Sequence, residues 1–164
     1  MGGIDSRDFT LASLRNNVGI VQQDVYLFTA TIRDNIAYGN SEASFDQIME
    51  AAKVAQLHDH IIGLPHSYDT WVGERGTTLS GGQRQRTALA RALASVPDVL
   101  LLDEPFAALD EDLRRTVRRE IRLVLRSSTV PVLLVTHDAE EALALADRVH
   151  IIDDGHVIAS GDPF

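Results

Sequence analysis

Short apolar runs recur along the chain, and each stops abruptly at polar or acidic residues. Val18-Gly19-Ile20-Val21 runs into Gln22-Gln23-Asp24, Val99-Leu100-Leu101-Leu102 into Asp103-Glu104-Pro105, and Val132-Leu133-Leu134-Val135 into Thr136-His137-Asp138. Continuous apolar runs of this length predict strands of a parallel sheet, with 99–102 as a central strand covered on both faces and 132–135 as another buried strand. Two further runs, Val149–Ile152 and Val157–Ala159, flank Asp153-Asp154-Gly155-His156. Asp-Gly between apolar runs is a hairpin signal.

Between these runs the apolar spacing becomes helical. Ser44-Phe45-Asp46-Gln47 fits a capping box, and Ile48, Ala51, Ala52 and Ala55 continue it as a helix to about Leu57. Gly63-Leu64-Pro65 breaks that pattern, and residues 64–79 read as an ordered loop region. A helix is predicted from near Gly82 to about Ala94. Another is predicted after Asp110 as cap, with Leu113, Val117, Ile121 and Val124 as its apolar stripe, and a short one over Ala139–Ala146. Strand, helix and strand in alternation predict an α/β sandwich whose chemistry sits at the carboxyl edge of a parallel sheet.

Composition narrows the picture by exclusion. The 164 residues are 45% apolar and 24% charged, which is globular composition and argues for one domain. The absence of cysteine removes disulfides and thiolate metal sites. No apolar run approaches the roughly 20 residues of a membrane span, and the opening residues lack a signal-peptide pattern, so a cytoplasmic location is expected. A net charge of −9 argues against bulk attraction to nucleic acid. Arg114, Arg115, Arg118, Arg119, Arg122 and Arg126 are interleaved with Glu111, Asp112 and Glu120, the pattern of a solvated helix face. His58, His60 and His66 have no organised ligand spacing and read as surface residues, and Trp71 reads as a packing anchor.

Two segments carry candidate chemistry. Leu79-Ser80-Gly81-Gly82-Gln83-Arg84-Gln85-Arg86 opens a helix with a hydroxyl, two glycines and free N–H groups at the positive end of the dipole, which suits an anion. The strand ending in Asp103-Glu104 delivers two adjacent carboxylates, Asp103 suited to Mg²⁺ and Glu104 to orienting or deprotonating a water. Together with Val21-Gln22-Gln23-Asp24, Ala108-Leu109-Asp110 and Val135-Thr136-His137-Asp138, these segments resemble the nucleotide-binding domain of ATP-binding-cassette (ABC) transporters. The corresponding parts are the Q-loop, signature, Walker B strand, D-loop and H-loop, in that family's order.

The resemblance implies a P-loop NTPase-like (RecA-like) parallel core flanked by helices. A helical subdomain would occupy about residues 24–95 and the Walker B, D-loop and H-loop part of the core 96–164. It implies ATP and Mg²⁺ as cofactors, with Gln23 near the metal and attacking water, and Asp103 on the metal. Ser80, Gly81, Gly82 and Gln83 would lie at the γ-phosphate, Glu104 would be the base, Asp110 would cross the dimer interface, and His137 would contact the γ-phosphate. The implied partners are a transmembrane transporter subunit and a second nucleotide-binding domain packed head to tail, with no nucleic acid. Residues 5–86 resemble exporters, whereas the stretch from Pro97 resembles importer ATPases, as in a splice of two subfamilies.

The P-loop pattern Gly-x-x-x-x-Gly-Lys-Ser/Thr is absent from the 164 residues, and Lys53, the one lysine, has no glycine near it. The family's preceding strand and P-loop are therefore expected to be missing from the core. Two functions from different classes follow. One is an ATPase domain coupling MgATP hydrolysis to transport. The other is a truncated or recombined fragment that folds, self-associates or exchanges strands, and does not bind ATP alone. An ABC ATPase of DNA repair is disfavoured because no heptad array occurs.

Overall fold

The computed structural model describes residues 5–107, 109, 111–127 and 130–163. Asp110 lies outside the described residues, as do the side chains of Leu113 and Val124. In chain order the elements are α1 (Leu11–Asn17), β1 (Val18–Val21), β2 (Ala30–Thr31), α2 (Ile32–Ala37), α3 (Phe45–Val54), α4 (His58–Ile62) and β3 (Trp71–Val72). They continue with α5 (Gly81–Ala94), β4 (Val99–Asp103), α6 (Glu111–Ser127), β5 (Val132–Val135), α7 (Ala139–Leu145), β6 (Val149–Asp153) and β7 (His156–Gly161).

The helix starts are written in the sequence. Thr10, Thr31, Ser44, Ser80 and Asp138 each accept a backbone N–H two or three residues on, which satisfies a donor the first turn would leave orphaned. Each such cap contributes about 1 kcal/mol. The end of α3 is equally local. Gln56 takes φ 54°, and Leu57 N–H reaches back to the Ala52 carbonyl at 2.9 Å, so the chain turns out of the helix there.

β1, β4 and β5 form a parallel sheet in that order, so the apolar run 99–102 is central as its composition predicts. Val21, Leu102 and Leu134 stand in one cross-strand row, and Ile20, Leu101 and Leu133 in the row on the opposite face. α5 covers the first face so closely that a Cβ on Gly19 would lie 3.0 Å from the Ala92 carbonyl oxygen. Val21, Leu100, Leu102 and Leu89 are buried there, continuous with Leu27, Ile32, Ile36 and Leu57 of the helical region. Burying each such side chain contributes about 1.5–3 kcal/mol.

The second face differs from expectation. Ile20 and Leu133 are 54% and 55% exposed, Val135 is exposed as well, and Leu101 is half-buried. The strand 99–102 is therefore buried on alternate residues and not on both faces, and 132–135 is not a buried strand. Helix α5 lies on one side only. β6 and β7 form the expected hairpin, but as a separate two-stranded ribbon with Ile151, Ile152, Val157 and Ile158 exposed.

Three smaller expectations are also corrected. Trp71 is 60% exposed, because in the two-residue ribbon of β2 and β3 it is Val72 that points inward. His58 is partly buried, its Nδ1 2.9 Å from the Tyr68 hydroxyl, so it is not a free surface residue. Arg118 leaves the solvated face of α6 and turns toward the acids of α7, whereas Arg115, Arg119, Arg122 and Arg126 stay exposed.

Candidate functional site

The strand ends of β4 and β5 place the first cluster. The Glu104 N–H donates to the Val135 carbonyl at 2.9 Å, the last step of the parallel ladder. Glu104 then leaves the strand at φ 47°, a left-handed conformation costing a non-glycine residue about 1–2 kcal/mol. Strain of this kind persists where surroundings over-determine it and clusters at functional sites. Here the surroundings are His137. Its backbone N–H donates to Glu104 Oε1 at 3.0 Å, and its Nδ1 lies 2.7 Å from the same oxygen. An ionised Glu104 is an acceptor only, so Nδ1 carries the proton. Among the described residues Oε2 accepts no hydrogen bond. Glu104 is held while one carboxylate oxygen stays available.

The hydrogen bond to Glu104, reinforced by its charge and by Glu141 and Asp138, pushes the His137 pKa above its ordinary value of 6.5. A raised folded-state pKa contributes stability that is present below the unfolded value and disappears as pH rises through the folded one. The melting-temperature gap between the wild type and His137→Ala is therefore expected to narrow as pH rises above about 6.5. A gap that is constant or widens over that range contradicts the pairing.

The second cluster surrounds the start of α5. Ser80 Oγ accepts the Gln83 N–H at 3.3 Å while Gln83 Oε1 accepts the Ser80 N–H at 2.8 Å, closing a capping box. Gln83 Nε2 lies 3.4 Å from His60 Nδ1, so the Gln83 side chain is engaged at both ends within the fold. Gly81 lines a cavity of about 410 Å³ together with Gln23, Asp24 and Tyr26 of the loop after β1, and with Arg75 and Gln85. Gln85 is buried, and its Nε2 has no hydrogen-bond partner among the described residues.

Arg91, from the same helix, fixes that loop. Its guanidinium donates to the carbonyls of Tyr26 and Asn35 and to Asn35 Oδ1 at 2.8–3.0 Å, and stacks near Phe28 and Tyr38. Asn35 Oδ1 also accepts the Phe28 N–H, while its Nδ2 donates to the Phe28 and Thr31 carbonyls.

Of the residues singled out in the sequence, Glu104 and His137 are in contact, and Gln23 and Gly81 share a cavity. Among the described residues no hydrogen bond joins one group to the other. Asp103 is exposed at the tip of β4. Among the described residues no three His, Asp or Glu side chains converge as a metal site. Mg²⁺ characteristically takes one or two carboxylates and completes its shell with water and phosphate oxygens, so Asp103 fits a metal that arrives with a phosphate. Sequence reasoning missed Asn35, Arg91, Arg118, Thr136 and Glu141 as supports. Only burial and partners reveal them, and no spacing rule marks a fully hydrogen-bonded Asn or Glu in advance.

The sequence pattern described as ABC transporter matches residues 1–107. Putative multidrug export ATP-binding/permease proteins from Staphylococcus aureus strains are 40% identical over 159 residues, spanning 97% of this chain and 27% of each relative. A solved structure of a bacterial Atm1-family ABC exporter with ATP bound superposes with a TM-score of 0.83 at 40% identity, covering 99% of this chain and 28% of that one. The chain belongs to the ABC transporter family. Its α/β architecture and parallel sheet are those of an exporter's ATP-binding domain, and it spans a little over a quarter of the relatives' length. Membership implies use of ATP and Mg²⁺. The matches to single exporter polypeptides run through both the exporter-like and the importer-like stretches. Among the described residues no helix is long and apolar enough to cross a membrane.

Proposed function

We propose that this chain supplies the signature, Walker B and H-loop part of an ATP-hydrolysing domain that drives export through a transmembrane partner at the cytoplasmic face of a membrane. The observation that carries the reading is Glu104 held at one oxygen by His137 while the other stays available. A carboxylate fixed in that way can orient a water and take its proton. Asp103 would hold the metal, and Gln23 would close over it from the loop after β1. Mg²⁺, when bound, neutralises phosphate charge and orients the phosphate oxygens. Ser80, Gly81 and Gly82 would present the helix start to the γ-phosphate of a nucleotide held by a second domain, with Asp110 crossing between the two. Gln83 would contribute by fixing the cap. The division into a helical part at about 24–95 and a core part at 96–164 fits this reading, with β1 on the core side.

A second reading, in which the 164 residues alone are silent toward nucleotide, is favoured by the absence of the Gly-x-x-x-x-Gly-Lys pattern that would supply most phosphate donors. The two are separated by calorimetry. The chain alone is expected to bind MgATP weakly or not at all, and a P-loop segment joined upstream is expected to restore binding and magnesium-dependent phosphate release. Micromolar binding by the unaided monomer refutes the silent reading. Failure of the extended, folded protein to release phosphate refutes the ATPase reading.

A further inference from the structure

Glu141 is the one buried carboxylate among the described residues, 3% exposed in the short helix α7. Burying a carboxylate is costly unless it is paired and hydrogen-bonded, so its partners indicate what it holds. Glu141 Oε2 accepts the Thr136 hydroxyl at 2.7 Å, and Oε1 lies 3.6 Å from Arg118 Nη2 of α6. The Thr136 hydroxyl oxygen in turn accepts the Asp138 N–H at 3.1 Å. An N–H can only donate, so the hydroxyl proton is left for Glu141 and the direction of the chain of bonds is set. Asp138 is tied a second time, its Oδ2 3.6 Å from the same guanidinium and its Oδ1 accepting the Glu140 and Glu141 N–H groups.

Residue 137 thus sits between two residues locked to Glu141 and Arg118. It is the residue whose N–H and Nδ1 both reach Glu104 Oε1, although its own side chain is 80% exposed and, among the described residues, only Glu104 hydrogen-bonds the ring. We propose that Glu141 is a positioning residue for the Glu104–His137 pair, acting through the Thr136 hydroxyl to hold the turn 136–138. This rests on the reading of Glu104 as the group that activates water, and adds what keeps it aimed. The charged groups around the turn are Arg118 from α6, Glu104 from the end of β4, and Asp138, Glu140 and Glu141 from α7 and its cap.

The competing explanation is that Glu141 and Arg118 merely staple α6 to α7. Thr136→Val separates the two, because it cuts the hydroxyl link and leaves the ion pair intact. The readouts are the ¹⁵N shift of His137 Nδ1 and the exchange rate of the His137 amide, measured by NMR on this chain at one pH. Thr136→Val and Glu141→Ala are expected to move Nδ1 toward an unpaired ring and to speed amide exchange by about tenfold, the equivalent of one hydrogen bond. Thr136→Ser is expected to restore both signals. Wild-type signals in both folded variants overturn the positioning role and leave the staple. Glu104→Ala is the control: if it moves neither signal, the Glu104–His137 pair itself is absent, and the functional reading falls together with this one.

Discussion

Glu104→Gln, in the domain completed with a P-loop segment, is expected to lower turnover by roughly 10²–10⁴-fold while nucleotide still binds. The geometry explains why binding survives. A glutamine Oε1 can still accept the His137 N–H and Nδ1–H that hold Glu104 at 3.0 and 2.7 Å. The other terminus becomes an NH₂ group, which cannot take a proton from water. The loss therefore belongs to the chemical step. Phosphate-release kinetics and equilibrium titration on the same preparation check it: kcat should collapse with little change in Kd. A variant that loses affinity but keeps kcat would place Glu104 in binding and remove it from catalysis.

Asn35→Ala is expected to cost about 3–5 kcal/mol, comparable to breaking a buried charged network. Asn35 is fully buried, and its amide is the knot of the helical region. Removing it orphans the Phe28 N–H and carbonyl, frees the Thr31 carbonyl, and takes one acceptor from the Arg91 guanidinium. Leaving buried donors unpaired costs more than the bonds themselves contribute. Against a typical total of about 5–15 kcal/mol the variant is marginal at best. The urea midpoint should fall steeply with an unchanged m-value. A shift equivalent to less than about 1 kcal/mol would show that water repairs the network.

The parallel strands and the capping box at Ser44 were legible because each is specified within a few residues: an apolar run, or a hydroxyl three positions before a glutamine; the matching box at Ser80 emerged only with the structure. The Glu104–His137 contact was not legible from spacing alone. It depends on β5 pairing with β4 in the register that sets Asp103 opposite Val135. The exposed second face of the sheet was missed because apolar composition reports what a strand is suited to bury, not what lies over it. Trp71 failed for a related reason. A two-residue strand has no periodicity from which to read its inward side.

The parallel register has a further consequence in time. Val18 pairs with Val99, so β1 finds its partner only after the whole helical region from β2 to α5 has been laid between them. Closing so long a loop carries an entropic cost that must be met before the pairing returns anything, and such long-range parallel contacts form slowly. The segment in between has its own caps, the buried side chains of Leu27, Ile32, Ile36 and Leu57, and the Arg91–Asn35 knot. It can condense first, bringing β1 and β4 to opposite ends of an already ordered spacer. β1 is then the last strand to join the sheet, and the signature helix is expected to be assembled before β1 docks against β4.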